Sequence, residues 1–221
     1  MTVSRGQYVQ IVKYFGVVVL AFFSYLMLEI ILRYVSFDTN AGFLQIKHDY
    51  IENKLWLSAF YLHVFSSLFA LLAGFTQFSK SIRRNYPQIH RRVGRIYVID
   101  ILLITGPAGL LMSFFANGDT GSQLAFFTLS VLWWYFTFQA WRAALARDFS
   151  RHRAYMLRSF ALTMSAITLR IWKMGLAHYF ELPPMDIYRI VAWLGFVPNL
   201  LLIEFYLLLE KRNRDNRKSS Y

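Results

Sequence analysis

The chain has 221 residues, 57% of them hydrophobic and 19% aromatic, and its 24 Lys and Arg against 12 Asp and Glu give a formal net charge of +12. A soluble domain of this length does not normally carry so many long apolar runs, and the basic residues fall in short stretches between those runs. That distribution argues against a folded basic face and a nucleic-acid partner. Cysteine is absent, which excludes disulfides, thiolate nucleophiles, iron–sulfur ligation and cysteine-based zinc sites. His48, His63, His90, His152 and His178 are left as the main candidates for metal or haem ligation.

Crossing ~30 Å of hydrocarbon takes about 20 helical residues. Six segments qualify in chain order: Ile11–Tyr34, Leu55–Phe78, Val93–Ala116, Leu124–Ala144, Tyr155–His178 and Ile187–Leu209. The first is too long for a cleavable signal peptide, lacks a following small-residue cleavage site, and carries Glu29 and Arg33 near its end. The expectation is an all-α fold: a polytopic membrane helix bundle of six transmembrane helices in a single domain over 1–221, closed by a basic cytoplasmic tail at 210–221.

Lys and Arg set the orientation. Lys80, Arg83, Arg84, Arg91, Arg92 and Arg95 follow the second span, and Arg142, Arg147, Arg151, Arg153 and Arg158 follow the fourth. The tail holds Lys211, Arg212, Arg214, Arg217 and Lys218, and with Arg5 and Lys13 this places 18 of the 24 basic residues on one side. The opposite loops, around 37–54, 117–122 and 181–186, contain only Lys47 and Lys54. The positive-inside rule then puts both termini in the cytoplasm. The basic loops are suited to anionic lipids of the cytoplasmic face, at ~1 kcal/mol for each residue close to the surface.

Gln77 precedes His90-Arg91 by 13 residues, and Gln139 precedes His152-Arg153 by the same interval, so the two sets share an offset of 62. Spans two and three thus read as a tandem copy of spans four and five, with His90 and His152 at equal depth on parallel helices. Two polar stripes also recur at helical steps: His63, Ser67, Ala70, Gly74 and Gln77 in span two, and Ser159, Thr163, Ala166, Arg170 and Lys173 in span five. Small-residue packing accounts for Ser, Ala and Gly but poorly for His63 and Arg170, which suit a polar pocket. Glu29 and Arg33 have the spacing of an ion pair, whereas Arg33, Lys173 and His178 are placed to snorkel. Asp100 and Glu204 lie within two turns of the cytoplasmic edge, where Arg95 and Arg158 are candidate partners. Pro107, between Gly106 and Gly109, should kink span three. Gly118 and Gly121 beside Asp119 ask only for turn chemistry.

Several separated motifs resemble one family. They are Tyr61-Leu62-His63 with Gln77-Phe78, His90-Arg91-x-x-Gly94-Arg95-x-Tyr97, His152-Arg153-x-Tyr155-Met156-x-Arg158-Ser159, Thr168-Leu169-Arg170, and Ala192-Trp193 with Pro198-Asn199-Leu200. The family is the bacterial membrane family catalogued as domain of unknown function 2306, and the likeness covers roughly residues 55–205. It implies a multi-pass protein of the bacterial inner membrane and no particular activity. The architecture is also similar to the ascorbate-reducible b-type cytochromes. That similarity implies at most one haem, because the fourth span has no histidine.

Three functions follow. The paired His-Arg motifs favour a membrane redox protein holding one b-type haem or a quinone, with His90 and His152 as iron ligands and His63 as the further candidate. Arg91, Arg95, Arg153 and Arg158 would then pair with propionates. The stripes and the repeat favour a small-solute or proton-coupled transporter whose polar pocket draws on His63, Ser67, Gln77, Thr163, Arg170, Asp100 and Glu204. Small size favours a structural or regulatory subunit. The orientation is tested by reporter fusions active only in the cytoplasm. They should work after Tyr86, after Arg147 and at the C-terminus, and be silent in the 117–122 loop; activity in that loop would overturn the orientation.

Overall fold

A computed structural model describes residues 5–218, which are helical apart from short connections and contain no strand. The last three residues of the basic tail lie outside the described residues, as do the side chains of Arg5, Lys13, Arg217 and Lys218. The order is α1 (Arg5–Leu32), a 3₁₀ turn (Gly42–Ile46), α2 (His48–Ile51), α3 (Lys54–Gln77), α4 (Lys80–Asn85) and α5 (Pro87–Ile99). A π-helical segment (Asp100–Thr105) joins α5 to α6 (Gly106–Ser113). Then come α7 (Thr120–Leu145), α8 (Phe149–Thr163), α9 (Ser165–Tyr179), α10 (Pro184–Leu194) and α11 (Val197–Lys218).

Helix starts are written in the sequence. Asn53 Oδ1 accepts from Leu55 N and Trp56 N, Asp119 Oδ1 from Ser122 N, and Asp148 Oδ1 from Arg151 N, each satisfying an N-terminal donor of the helix that follows. The outer faces are apolar and bare. Helix α1 exposes Phe15, Val18, Phe22 and Tyr25, and α11 exposes Leu201, Leu202, Phe205 and Leu208. Apolar faces this continuous belong in lipid.

Among the described residues four segments are long and apolar enough to cross a membrane: Tyr14–Leu32, Lys54–Gln77, Pro87–Ser113 and Pro184–Asn216. They correspond to the first, second, third and sixth expected spans. The fourth is the continuous 26-residue α7, whose Thr, Ser, Gln, Trp and Tyr residues lower its mean hydropathy. The fifth is not one helix. It breaks at Met164 into α8 and α9 of 15 residues each, and α8 opens on basic side chains.

Three of the expected spans are therefore interrupted, and side chains meet carbonyls that the breaks release. In the π segment Gly106 N–H reaches back to Ile101 O, the space a Cβ on Gly106 would need. The next donor in that register would be Pro107, which has no N–H. Leu102 O is served instead by the indole of Trp134, at 3.1 Å. At the second break, α8 stops at Thr163 and leaves Ala161 O without its helical donor. At the third, α10 gives way to α11 at Gly195–Phe196, ahead of Pro198. The amide of Asn199 lies within hydrogen-bond distance of Ala161 O (3.1 Å), Gly195 O (3.2 Å) and Thr168 Oγ1 (3.0 Å). One side chain thus serves two broken helices.

The centre of the bundle is polar as well as apolar. Tyr97 Oη is 2.7 Å from Ser159 Oγ and 3.0 Å from Thr163 Oγ1, Thr137 Oγ1 is 2.7 Å from Ser159 Oγ, and Trp133 Nε1 donates to Thr163 Oγ1. Tyr97, Trp133, Leu162 and Ala192 pack in one cluster with Ile101, Met156 and Phe196, which ties α5, α7, α8 and α10. Gly74 lets α3 approach α8, since the ring of Phe160 occupies the place of its missing side chain. A second aromatic cluster of Tyr34, Trp56 and Phe60 closes the end opposite the basic loops.

Replacing Asn199 by Leu removes the shared repair and strands buried carbonyls. Unfolding in bicelles should show a loss of about 1–3 kcal/mol, above the ~0.6 kcal/mol average for polar contacts between membrane helices. No measurable loss would mean that the two breaks do not depend on this residue.

Candidate functional site

The sequence reading offered two places for chemistry, and the structure treats them differently. The larger cavity, about 350 Å³, lies between α1, α3, α6, α7, α8, α9 and α10, toward the end opposite the basic loops. Most of its wall is apolar, including Met27, Phe60, Leu71, Met112 and Trp133. Into it come His63 and Ser67 from α3, Thr163 from α8 and Arg170 from α9, four of the residues expected in the polar pocket. Ser130, Tyr188 and Lys47 also line it, and the sequence reading did not assign them. Lys47 was read only as an exception to the charge rule; its position after the short 3₁₀ turn folds it inward, which no periodicity announces.

Charge decides what such a cavity can hold. Lys47, His63 and Arg170 line it, and among the described residues no Asp or Glu does. Lys47 is 3% exposed. Its ammonium donates to Phe115 O and lies 5.0 Å from the ring centroid of Tyr50 and 5.8 Å from that of Phe43. Burial pushes the Lys47 ammonium below its ordinary pKa, and Asp49 partly opposes this. Arg170 donates from Nη1 to Ala166 O, at 2.5 Å, on its own helix, and no carboxylate pairs with it. A guanidinium among apolar side chains without a counter-ion is costly, and such groups mark binding sites and pathways.

His63 is fixed by the interrupted helix across from it. Its Nδ1 lies 3.0 Å from Thr105 O, a carbonyl that can only accept, so Nδ1 carries a proton and Nε2 is the lone-pair nitrogen of the neutral ring. Gly109 makes room, because a Cβ there would stand 3.0 Å from both Cε1 and Nδ1 of the imidazole. The π segment also orients Asp100, whose Oδ1 accepts from Thr105 Oγ1 at 2.6 Å. Ser66 Oγ is 2.6 Å from that same hydroxyl.

The other residues expected in the pocket lie elsewhere. Gln77 donates to His90 O at 3.1 Å, at the basic end. Asp100 binds Thr105 rather than an arginine. Glu204 pairs with Arg158, at 2.5 Å to Nε and 2.8 Å to Nη2, tying α11 to α8. Arg153 binds Glu210 at 2.6 Å between the same helices. Glu29 and Arg33 form no ion pair: α1 ends at Leu32, so Arg33 leaves the helical spacing that would bring them together. Arg33, Lys173 and His178 are exposed, as snorkelling side chains should be. Asp119 does more than turn: besides capping α7 it meets Arg189 Nε at 3.0 Å, and Arg189 also binds Asp186 at 2.8 Å.

The haem site proposed from the paired motifs gains little. His152 Nδ1 is 2.8 Å from Ala140 O, while His90 Nδ1 is buried without a partner. Neither residue lines the large cavity or the smaller one of about 170 Å³ formed by Gln139, Arg142, Ala143, Ala146, Asp148 and Arg151. Of the arginines proposed for propionates, Arg91 and Arg95 are exposed, and Arg153 and Arg158 are committed to carboxylates. The two copies of the repeat are also bonded differently, since Gln77 reaches His90 O and Gln139 does not reach His152.

The profile of a family described as predicted membrane protein, domain of unknown function 2306, matches residues 60–207, and the chain belongs to that family. No curated protein and no solved structure matches it. The matched stretch includes His63, Asp100, Thr105, Arg170 and Asn199 but not Lys47.

If Arg170 is kept for binding rather than for the fold, Arg170→Met should leave stability unchanged or raise it, by up to about 1–2 kcal/mol, on relief of the uncompensated charge. Thermal unfolding in a lipid environment checks this. A marked loss would make Arg170 a structural residue.

Proposed function

From membership of a family of predicted membrane proteins, we propose that this chain is a six-crossing carrier of the bacterial inner membrane, with both termini cytoplasmic. Its cargo is a small organic anion with an apolar body. The observation that carries this reading is the sign of the large cavity: apolar walls, Lys47, His63 and Arg170 in the lining, and no acid. An anionic head at Arg170 would receive charge-assisted hydrogen bonds from its guanidinium, while the apolar body lies against Met27, Phe60 and Leu71. Six crossings require α7 and the α8–α9 pair to span the membrane beside the four more apolar segments.

Transport rather than static binding is supported by the interruptions. Carriers commonly build their sites where membrane helices are broken, because freed backbone groups and breaks near mid-membrane permit two arrangements. Here the cavity is flanked by the π segment that holds His63 and by the break at Met164, one and a half turns before Arg170. A quinone would suit the same apolar walls, but a neutral head makes no use of two fixed cations. The basic loops face anionic lipid headgroups in this arrangement and hold the orientation.

Titration calorimetry with the protein in nanodiscs tests the reading, with empty nanodiscs as the partitioning control. Octanoate should bind and octanol should not compete well. Arg170→Met should weaken octanoate by about tenfold or more, or ~1.4 kcal/mol. Lys47 adds a pH dependence of known sign. Its ammonium is charged on the acid side of its lowered pKa, so anion affinity should be full there. Affinity should then fall as pH rises through a point below the ordinary lysine value, and Lys47→Arg should remove that fall. Equal affinity for octanoate and octanol would sink the anion reading.

A further inference from the structure

Asp100 is the one buried acid in the described part of the bundle, 5% exposed and with no basic side chain in an ion pair. Its Oδ1 accepts from the Thr105 hydroxyl, and its Oδ2 is buried with no partner at all. Residues five apart do not share a face of an α-helix. The π turn over Asp100–Thr105 is what brings this hydroxyl onto this carboxyl, at 2.6 Å. The same residue turns its carbonyl to His63 Nδ1. Thr105 therefore touches the cavity histidine with one group and the buried acid with another.

We propose that Asp100 is the proton-coupling group of the carrier, taking up a proton when an anion fills the cavity and releasing it when the cavity empties. The inference rests on the carrier reading and adds to it the co-transported ion. With the cavity empty, Thr105 alone stands between the cavity histidine and the Asp100 carboxyl, its carbonyl on His63 and its hydroxyl on Asp100. When an anion enters, its charge repels the carboxylate across Thr105, and a carboxylate whose Oδ2 is buried without a partner can no longer be held in hydrocarbon. A proton from water then adds to the carboxylate, Asp100–COO⁻ plus H⁺ giving Asp100–COOH. The loaded carrier thus holds one anion and one proton, with no change in net charge.

The groups facing Asp100 keep the assignment narrow. From α3 come His63, through Thr105, and the Ser66 hydroxyl, 2.6 Å from Thr105 Oγ1. From α7 comes the Trp134 indole, which donates to Leu102 O and does not ionise. On its own helix the nearby titratable group is Tyr97, whose hydroxyl is engaged with Ser159 and Thr163. His63 and Lys47, which both line the cavity, are thus the competing proton acceptors.

Octanoate titrated into the wild-type protein in nanodiscs, in two buffers of different ionisation enthalpy at one pH, reads the protons bound with the anion. About one proton per octanoate is expected, and Asp100→Asn, which keeps the acceptor for Thr105, should bind octanoate with that uptake lost. Undiminished uptake in Asp100→Asn would move the proton to His63 or Lys47 and overturn the inference while leaving the carrier reading intact. Failure of wild type to bind octanoate would instead strike the carrier reading itself. Infrared difference spectra of the wild type across mildly acid to mildly alkaline pH give an independent test. A protonated-carboxyl band that titrates, and that shifts in Thr105→Val, supports Asp100 even should Asp100→Asn not fold. A carboxyl locked in one form across that range overturns it.

Discussion

Inside a membrane no water is at hand for a backbone group that loses its helical partner, and this protein is organised around that constraint. Its helices are broken at the π segment, at Met164 and at Gly195–Phe196, and side chains from other helices meet the carbonyls those breaks release. Trp134 serves Leu102 and Asn199 serves Ala161 and Gly195, while His63 adds a donor to Thr105 O, the N-cap carbonyl of α6. Each repair joins two helices that apolar packing alone would leave free to slide. The repairs also fix polar side chains in place: His63 lines the cavity because a carbonyl holds its Nδ1, and Asp100 meets Thr105 because the helix between them is wound at the wider pitch.

Charge is divided between the two ends of the bundle by the same logic. At the basic end, Arg153 and Arg158 reach Glu210 and Glu204, and most other cations are exposed. These are pairs at a lipid–water boundary, where they bind helix to helix and cost little. Among the described residues no acid lines the cavity with these cations, and Asp49 acts on Lys47 from outside it. Lys47 leans on Phe115 O and two rings, and Arg170 on a carbonyl of its own helix. Neutral partners of that kind hold a charge without cancelling it, and the uncancelled field is what remains for a ligand.

Much of this was legible in residue order. The apolar runs, the alternation of basic loops and the distortion around Pro107 all follow from local rules, as does the family likeness. His63 and Arg170 stood out because an ionisable side chain within an apolar run demands a reason. The break at Met164 was not legible: no proline or glycine marks it, and it exists because Asn199 of another helix stabilises the freed carbonyl. The Gln and His pairs misled for the opposite reason. Their equal spacing is a one-dimensional regularity, and only packing decides that Gln77 meets a histidine backbone while Gln139 turns to a small cleft beside Arg142.

The sequence by itself determined that this is an all-helical membrane protein of its family, since hydropathy and helical period depend on neighbours along the chain. It also determined which few polar side chains are held in apolar surroundings. The tertiary structure decided which of those side chains meet. It gathered Lys47, His63 and Arg170 around one cavity, set Asp100 behind it on Thr105, and sent Glu204 to Arg158. Those choices are made by contacts across helices, between residues as far apart as Lys47 and Phe115, and by a change of helical pitch that rotates Thr105 onto Asp100. No spacing along the chain encodes either.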